Sequence, residues 1–303
     1  MQQNRSFQAS ILVASLIVAG SLVYSANKKS SETKTEASAE TSEQFQNQSA
    51  GEIIALESTI LPVKWGDLGA RMASVGVIDK EEFLEIYASR GGLDDYERRL
   101  LEESDNGNLE INERNAGVIL NLLWALGLGN KNPILEKGPM SDQKYGGADR
   151  FASTGGWTLA RGNAMDHYSR HPLIVLTGEQ QKLVEKVSKG IYRPCCGNST
   201  YFPDCNHGMA MLGFLELMAS QGIGEKEMYE AALKLNSFWF PDTYATIAQY
   251  LAGKGIKWEN ADPQEILGYN YSSGPGFLKI KQELEARSNG SNQRPKSGGG
   301  CGV

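Results

Sequence analysis

The stretch EINERNAGVILNLLWALGL, residues 110–128, decides the fold class. Drawn as a helix, it carries Val118, Leu120, Leu122, Leu123, Trp124 and Leu126 on nearly every side. A helix that is apolar all round is either a core helix or a membrane span. A span needs about 20 apolar residues, and this stretch is too short and too polar at its start. It is therefore predicted as the central core helix. The chain around it is predicted as an all-α, compact multi-helix domain with short loops.

Working toward the N-terminus, Asp79 is placed to cap a helix, and Glu82 would complete a capping box. Phe83, Leu84 and Tyr87 give that helix an apolar face. Residues 93–103 continue helically with Tyr96, Leu100 and Leu101 inward. Residues 104–108, SDNGN, have the composition of a calcium loop but not its D-x-[DN]-x-[DN]-G spacing, so they read as a plain turn. Residues 61–67 read as an extended entry. No segment shows strand alternation, so no sheet is predicted.

The organisation of the whole chain follows from composition. It has 303 residues, 40% hydrophobic and 22% charged, with a net charge of −6. The globular part, residues 52–287, is long enough for a sizeable core. No basic block is present, which argues against nucleic acid as a partner, because phosphate binding needs clustered Lys and Arg. Residues 7–26, FQASILVASLIVAGSLVYSA, carry no charge and would span about 30 Å of hydrocarbon as a helix. Residues 1–26 are expected to be a transmembrane anchor, or a signal peptide cut near Ser25. The protein is then membrane-anchored with its domain outside the cytoplasm, or secreted if the leader is cleaved. Residues 27–51 are almost wholly polar, which predicts a disordered linker. Residues 288–303 predict a flexible tail carrying Cys301, with a reach of roughly 20 Å.

Toward the C-terminus, residues 129–162 form a long polar stretch rich in Gly and Asn, of the kind that is usually functional or mobile. His167 and His171 follow at a spacing of four beside Asp166, but Pro172 ends any helix there, so they read as solvated loop histidines. A helix opens at Thr177-Gly178-Glu179-Gln180 and ends at Gly190. Another starts at Pro203-Asp204, with Asp204 as candidate N-cap, and runs to about Gln221. Residues 224–239, 242–253, 262–269 and 276–286 are further helical pieces.

Chemistry concentrates in YRPCCGNSTYFPDCNHGMAM, residues 192–211, which holds three of the four cysteines. Thiolate sulfur suits soft ions such as Cu(I), and also Zn²⁺. Cys195 and Cys196 lie in a loop bracketed by Pro194 and Gly197. Cys205 sits at a helix start, where backbone N–H groups and the helix dipole favour a thiolate. His207 and Met211 share a helix face. The predicted metal ligands are Cys195, Cys196, Cys205 and His207, with Met211 as a weak ligand and Cys301 as an auxiliary thiol. Two other readings stay open. Met211, Phe214, Leu215 and Met218 follow ordinary core spacing. Cys195 or Cys196 paired with Cys205 in a disulfide is compatible with an extracytoplasmic domain. The motifs of haem c, thioredoxin-like CxxC and phosphate loops are absent.

Pro194-Cys195-Cys196-Gly197, then Asp204-Cys205, then His207-Gly208 before a helix and a Gly-Ile-Gly-Glu-Lys-Glu-Met segment, resembles bacterial PCYCGC-motif extracytoplasmic proteins. The resemblance covers about residues 192–230. It implies a Cys/His metal or thiol site carried by Cys195, Cys196, Cys205 and His207. This sequence has Cys-Cys where that family has Cys-Tyr-Cys-Gly-Cys, and Met211 and Phe214 where it places a later cysteine pair.

The first functional expectation is a membrane-anchored extracytoplasmic protein binding copper or zinc through the Cys/His cluster. The second is a thiol–disulfide redox protein in which Cys205 attacks and Cys195 or Cys196 resolves. The third is a non-enzymatic envelope protein whose cysteines staple a loop.

Overall fold

A computed structural model describes residues 58–291. In chain order the elements are strand β1 (Thr59–Gly66) and helices α1 (Leu68–Val75), α2 (Lys80–Ala88) and α3 (Asp95–Glu102). Strand β2 (Asn106–Ile111) follows, then α4 (Ala116–Gly129), α5 (Pro133–Lys137) and α6 (Gly178–Gly190). The last described elements are α7 (Asn206–Ser220), α8 (Glu225–Trp239), α9 (Pro241–Ala252), α10 (Pro263–Ile266), α11 (Tyr269–Ser272) and α12 (Gly274–Ser291).

The centre of the molecule is the contact between α4 and α7. Both helices are buried nearly all round, as the apolar stretch predicts for α4. They meet at glycines. A Cβ on Gly127 would lie 2.0 Å from the Met209 carbonyl oxygen, and one on Gly213 would lie 2.6 Å from the Gly127 nitrogen. Backbone therefore touches backbone, and any larger residue would force the helices apart. Helices α6 and α8 pack beside α7.

The fold is mostly helical, with one correction to the all-α expectation: β1 and β2 form a two-stranded antiparallel sheet. Along β1, Leu61, Val63 and Trp65 are buried while the residues between them are not. This alternation is the two-residue period of a half-buried strand, and Pro62 at a position between the buried ones obscured it. Partner register runs Thr59↔Ile111, Lys64↔Asn108 and Gly66↔Asn106. Glu110 and Ile111 thus belong to β2, and α4 starts at Ala116 instead of Glu110. Asn112 and Asn115 make the corner. Asn112 Oδ1 accepts from the Arg114 and Asn115 N–H groups at 2.9 and 3.0 Å, and Asn115 Nδ2 donates to the Glu110 carbonyl at 2.9 Å.

Asp79 does cap α2, accepting from the Glu81 and Glu82 N–H groups. Reciprocal capping boxes occur instead at Asp94/Glu97 on α3 and Thr177/Gln180 on α6. The Gly-rich stretch after α4 is packed at its aromatic residues. Trp157 is 3% exposed, donates from Nε1 to the Val77 carbonyl at 2.9 Å and stacks edge-on against Trp124 at 4.8 Å. Tyr145 and Phe151 close on Phe202 of the cysteine-bearing loop at 5.2 and 5.4 Å.

Helix α12 runs to Ser291, past the predicted end of the helical body at residue 287. Among the described residues no helix is long and apolar enough to cross a membrane. The predicted anchor or signal peptide (1–26), the linker (27–51) and Cys301 lie outside the described residues.

Candidate metal centre

Residues 192–204 form a loop between α6 and α7 that is tied down from several sides. The Tyr192 N–H donates to the Leu267 carbonyl at 2.8 Å, and Asn236 Nδ2 on α8 donates to the Tyr192 carbonyl at 3.2 Å. The Thr200 N–H donates to the Ile191 carbonyl at 2.8 Å, and the first residue of α12, Gly274, donates its N–H to the Cys196 carbonyl at 2.8 Å. These bonds satisfy loop backbone that would otherwise be buried unpaired, and they fix where the thiols point.

Beneath the loop lies Arg193, 1% exposed. Each of its three guanidinium nitrogens has a partner. Nε donates to Cys205 Sγ at 3.0 Å, Nη1 to the Asn198 carbonyl at 2.9 Å and Nη2 to the Phe202 carbonyl at 3.0 Å. Nη2 also forms an ion pair with Asp204. Asp204 in turn accepts from Asn198 Nδ2 at 2.8 Å. The side chain predicted as the α7 N-cap is therefore engaged with Arg193. The cap is Cys205, whose sulfur accepts from the Gly208 N–H at 3.4 Å. Gly208 leaves room for the guanidinium, because a Cβ would lie 2.5 Å from Arg193 Cζ and would displace it.

The structure brings the predicted residues together in two overlapping groups. Ligand atoms of Cys195, Cys205 and His207 lie within 4.8 Å of one another, as do those of Cys196, Asp204 and Cys205. The first group is close enough to hold a metal ion. Cys195 is exposed, while Cys205 and Cys196 are half-buried. Cys195 Sγ and Cys205 Sγ are 3.5 Å apart, so all three described cysteines are free thiols. His207 packs its ring against Phe240 at 4.4 Å and Trp239 at 5.7 Å, and its buried Nδ1 has no hydrogen-bond partner.

No family model matches this chain, and no curated protein or solved structure matches it either.

The electrostatics concentrate negative charge on one sulfur. Hydrogen bonds from Cys195 and Cys196 hold the Cys205 thiol far below its ordinary range, with His207 and the Arg193 charge adding to them against the opposing effect of burial. Cys195 is pushed up, because its bonds with Cys196 and Cys205 are made by the protonated thiol. Cys196 is pushed up to about 11; its bond with Cys195 lowers it, but Cys205 and burial outweigh that. Burial lowers Arg193, but the Cys205 and Cys196 sulfurs and Asp204 outweigh it and raise the guanidinium, which stays charged. The result is one thiolate, Cys205, held by a fixed cation and a helix N-terminus, which is the arrangement of a metal-binding or reactive sulfur.

Met211 is 1% exposed and belongs to the hydrophobic core. The two remaining histidines are not solvated loop residues. His167 is buried, and a Cβ on Gly76 would lie 3.1 Å from its ring. His167 Nε2 sits 2.9 Å from the Arg161 carbonyl, which can only accept, so Nε2 carries the proton. In the neutral imidazole, His167 Nδ1 then accepts from His171 Nε2 at 3.0 Å. The pair stands apart from both groups of ligand atoms. Sequence reasoning missed Arg193 and the structural use of Asp204 and Gly208. The one sequence signal for them is position: an Arg directly before Pro-Cys-Cys, and a Gly one residue after His207 where a helix former is otherwise preferred.

Proposed function

We propose that this protein binds one soft metal ion, Cu(I) in first place and Zn²⁺ in second, through Cys195, Cys205 and His207. The observation that carries the reading is the convergence of two thiols and an imidazole within 4.8 Å. His207 Nδ1 supports it: a buried ring nitrogen without a partner carries a desolvation penalty of about 1–3 kcal/mol that a ligand would offset. Exposed Cys195 supplies an entry path. Cys196 and then Met211 are the candidates for a further position. Thiolate-rich donor sets favour the soft monovalent ion.

One ion is expected because the other side of Cys205 already faces a cation. Arg193 balances Asp204 and touches the Cys205 sulfur, so a second ion there would meet a fixed positive charge. The resemblance to PCYCGC-motif proteins is part of the same proposal, as is placement outside the cytoplasm on the apolar leader of residues 7–26.

The test is titration of the reduced, metal-free full chain with Cu(I) and with Zn²⁺, followed by tryptophan fluorescence and elemental analysis. One ion per chain is expected. Cys205→Ser abolishes uptake, His207→Ala weakens it by more than the roughly 10- to 100-fold that losing an outer-shell partner costs, and His171→Ala leaves it unchanged. Uptake of neither ion by the reduced protein sinks the reading.

A further inference from the structure

We propose that Cys195 and Cys205 interconvert between dithiol and disulfide by exchange with a dithiol of the surroundings, and that closing the disulfide switches the metal site off. The chemistry stands on the thiol geometry; the consequence for metal rests on the reading above.

The two sulfurs are 3.5 Å apart, and a disulfide needs about 2.05 Å. The closing movement falls to Cys195, which lies exposed in the loop between Pro194 and Gly197 and outside any helix. Cys205 stays in place, held by Arg193 Nε at 3.0 Å and the Gly208 N–H at 3.4 Å. Cys196 also lies within 4.8 Å of Cys205, but it is less exposed than Cys195 and is held elsewhere. Its sulfur faces the Asn198 carbonyl at 3.8 Å and Asp204 Oδ1 at 3.7 Å, and its own carbonyl is fixed by Gly274.

Accessibility assigns the roles. In the disulfide, an incoming thiolate reaches the exposed Cys195 sulfur. The S–S bond breaks, and its electron pair leaves with Cys205, onto the two N–H donors that already face that sulfur. A mixed disulfide remains on Cys195. The second thiol of the attacking dithiol displaces it, releasing Cys195 as a thiol and the reagent as its own cyclic disulfide. Two electrons pass from reagent to protein, and the two thiol protons of the reagent end on Cys195 and in solvent. Closing runs in reverse against an oxidised thiol compound. Because the donors to Cys205 favour the open form, the disulfide is easily reduced. The closed form has lost two of the three proposed ligands, since a disulfide sulfur is a poor ligand beside a thiolate.

The test uses the full chain carrying Cys301→Ser, so that three cysteines remain. The protein is equilibrated in glutathione buffers from fully reduced to fully oxidised, alkylated, digested and mapped, with Cu(I) and Zn²⁺ uptake measured at each point. The expected result is a Cys195–Cys205 linkage with Cys196 still alkylated, loss of metal uptake in step with the linkage, and full recovery with dithiothreitol. Cys195→Ser leaves Cys205 unlinked to Cys196. A linkage through Cys196, no intramolecular linkage in fully oxidised glutathione, or unchanged uptake by the linked protein would overturn the proposal. If the linkage forms but the reduced protein takes up neither ion, the metal reading and the switch fall together, while the map still decides the exchange.

Discussion

At the scale of single residues, the cysteines were legible and their supports were not. Three cysteines within residues 195–205 announce a sulfur site, but nothing local tells which sulfur is charged. That is decided by tertiary contacts: the Cys195 and Cys196 thiols bond to Cys205 first of all, and Arg193, buried at 1% exposure against Cys205 and Asp204, adds its charge. Gly208→Ala tests the arrangement. The new methyl would occupy the place of the guanidinium, so Arg193 must withdraw and the Cys205 thiol rises toward its ordinary range. A titration of ultraviolet thiolate absorption reads this directly. The wild-type signal persists into acid, and in the variant it disappears at markedly higher pH. A signal unmoved by the substitution would show that Arg193 adds nothing to the charge on Cys205. A second residue-scale prediction concerns Glu216, fully buried between Asn130 Nδ2 at 2.9 Å and Asn132 Nδ2. Burial pushes its carboxyl up from 4.5 to about 8, against the two amide donors. The folded state therefore keeps a proton that the unfolded chain releases near 4.5, and stability falls as pH rises from there to about 8. Above that the contribution is flat. In Glu216→Gln this part of the slope vanishes, even though the amide replacement lowers the melting temperature at acid pH. Melting curves across that range check it.

At the scale of elements, helix periodicity identified α4, and cap chemistry identified the starts of α2 and α6. Two element starts were misplaced for a common reason. At Asn112–Asn115 and at Asp204–Cys205, polar side chains capable of capping follow one another within a few residues, and tertiary partners choose among them. The short sheet was missed because only β1 carries the alternation, and its partner β2 begins in a Gly/Asn stretch that reads as a turn. The glycine contact between α4 and α7 is testable. In Gly127→Ala the added methyl points at the Met209 carbonyl, 2.0 Å away. Overpacking of this kind destabilises by about 1–3 kcal/mol, seen as an earlier urea midpoint with unchanged slope. A neutral effect would mean that α4 and α7 do not meet where described.

At the scale of the whole molecule, the candidate centre joins parts far apart in the chain. The loop of residues 192–204 is held by α8, by the end of α10 and by the start of α12, and His207 packs on the α8–α9 junction at Trp239 and Phe240. A ligand that binds this assembly and not the unfolded chain stabilises the fold by mass action. At a free ion concentration of about 1,000 Kd the gain is about 4 kcal/mol, or a rise in melting temperature of about 10 °C for a domain of this size. Cu(I) is expected to produce it in the wild type and not in Cys205→Ser. An equal shift in both would place the ion elsewhere.

The sequence by itself determined the mostly helical class, the central apolar helix and the location of the sulfur chemistry, because periodicity, caps and clustered thiols are properties of neighbours in the chain. Tertiary structure alone decided which sulfur faces which, that Arg193 is buried beneath them, that His167 and His171 share a hydrogen bond, and that Glu216 meets Asn130 from 86 positions away. Burial, charge pairing and pKa depend on what packs against a residue, and that is set only when distant segments close on one another.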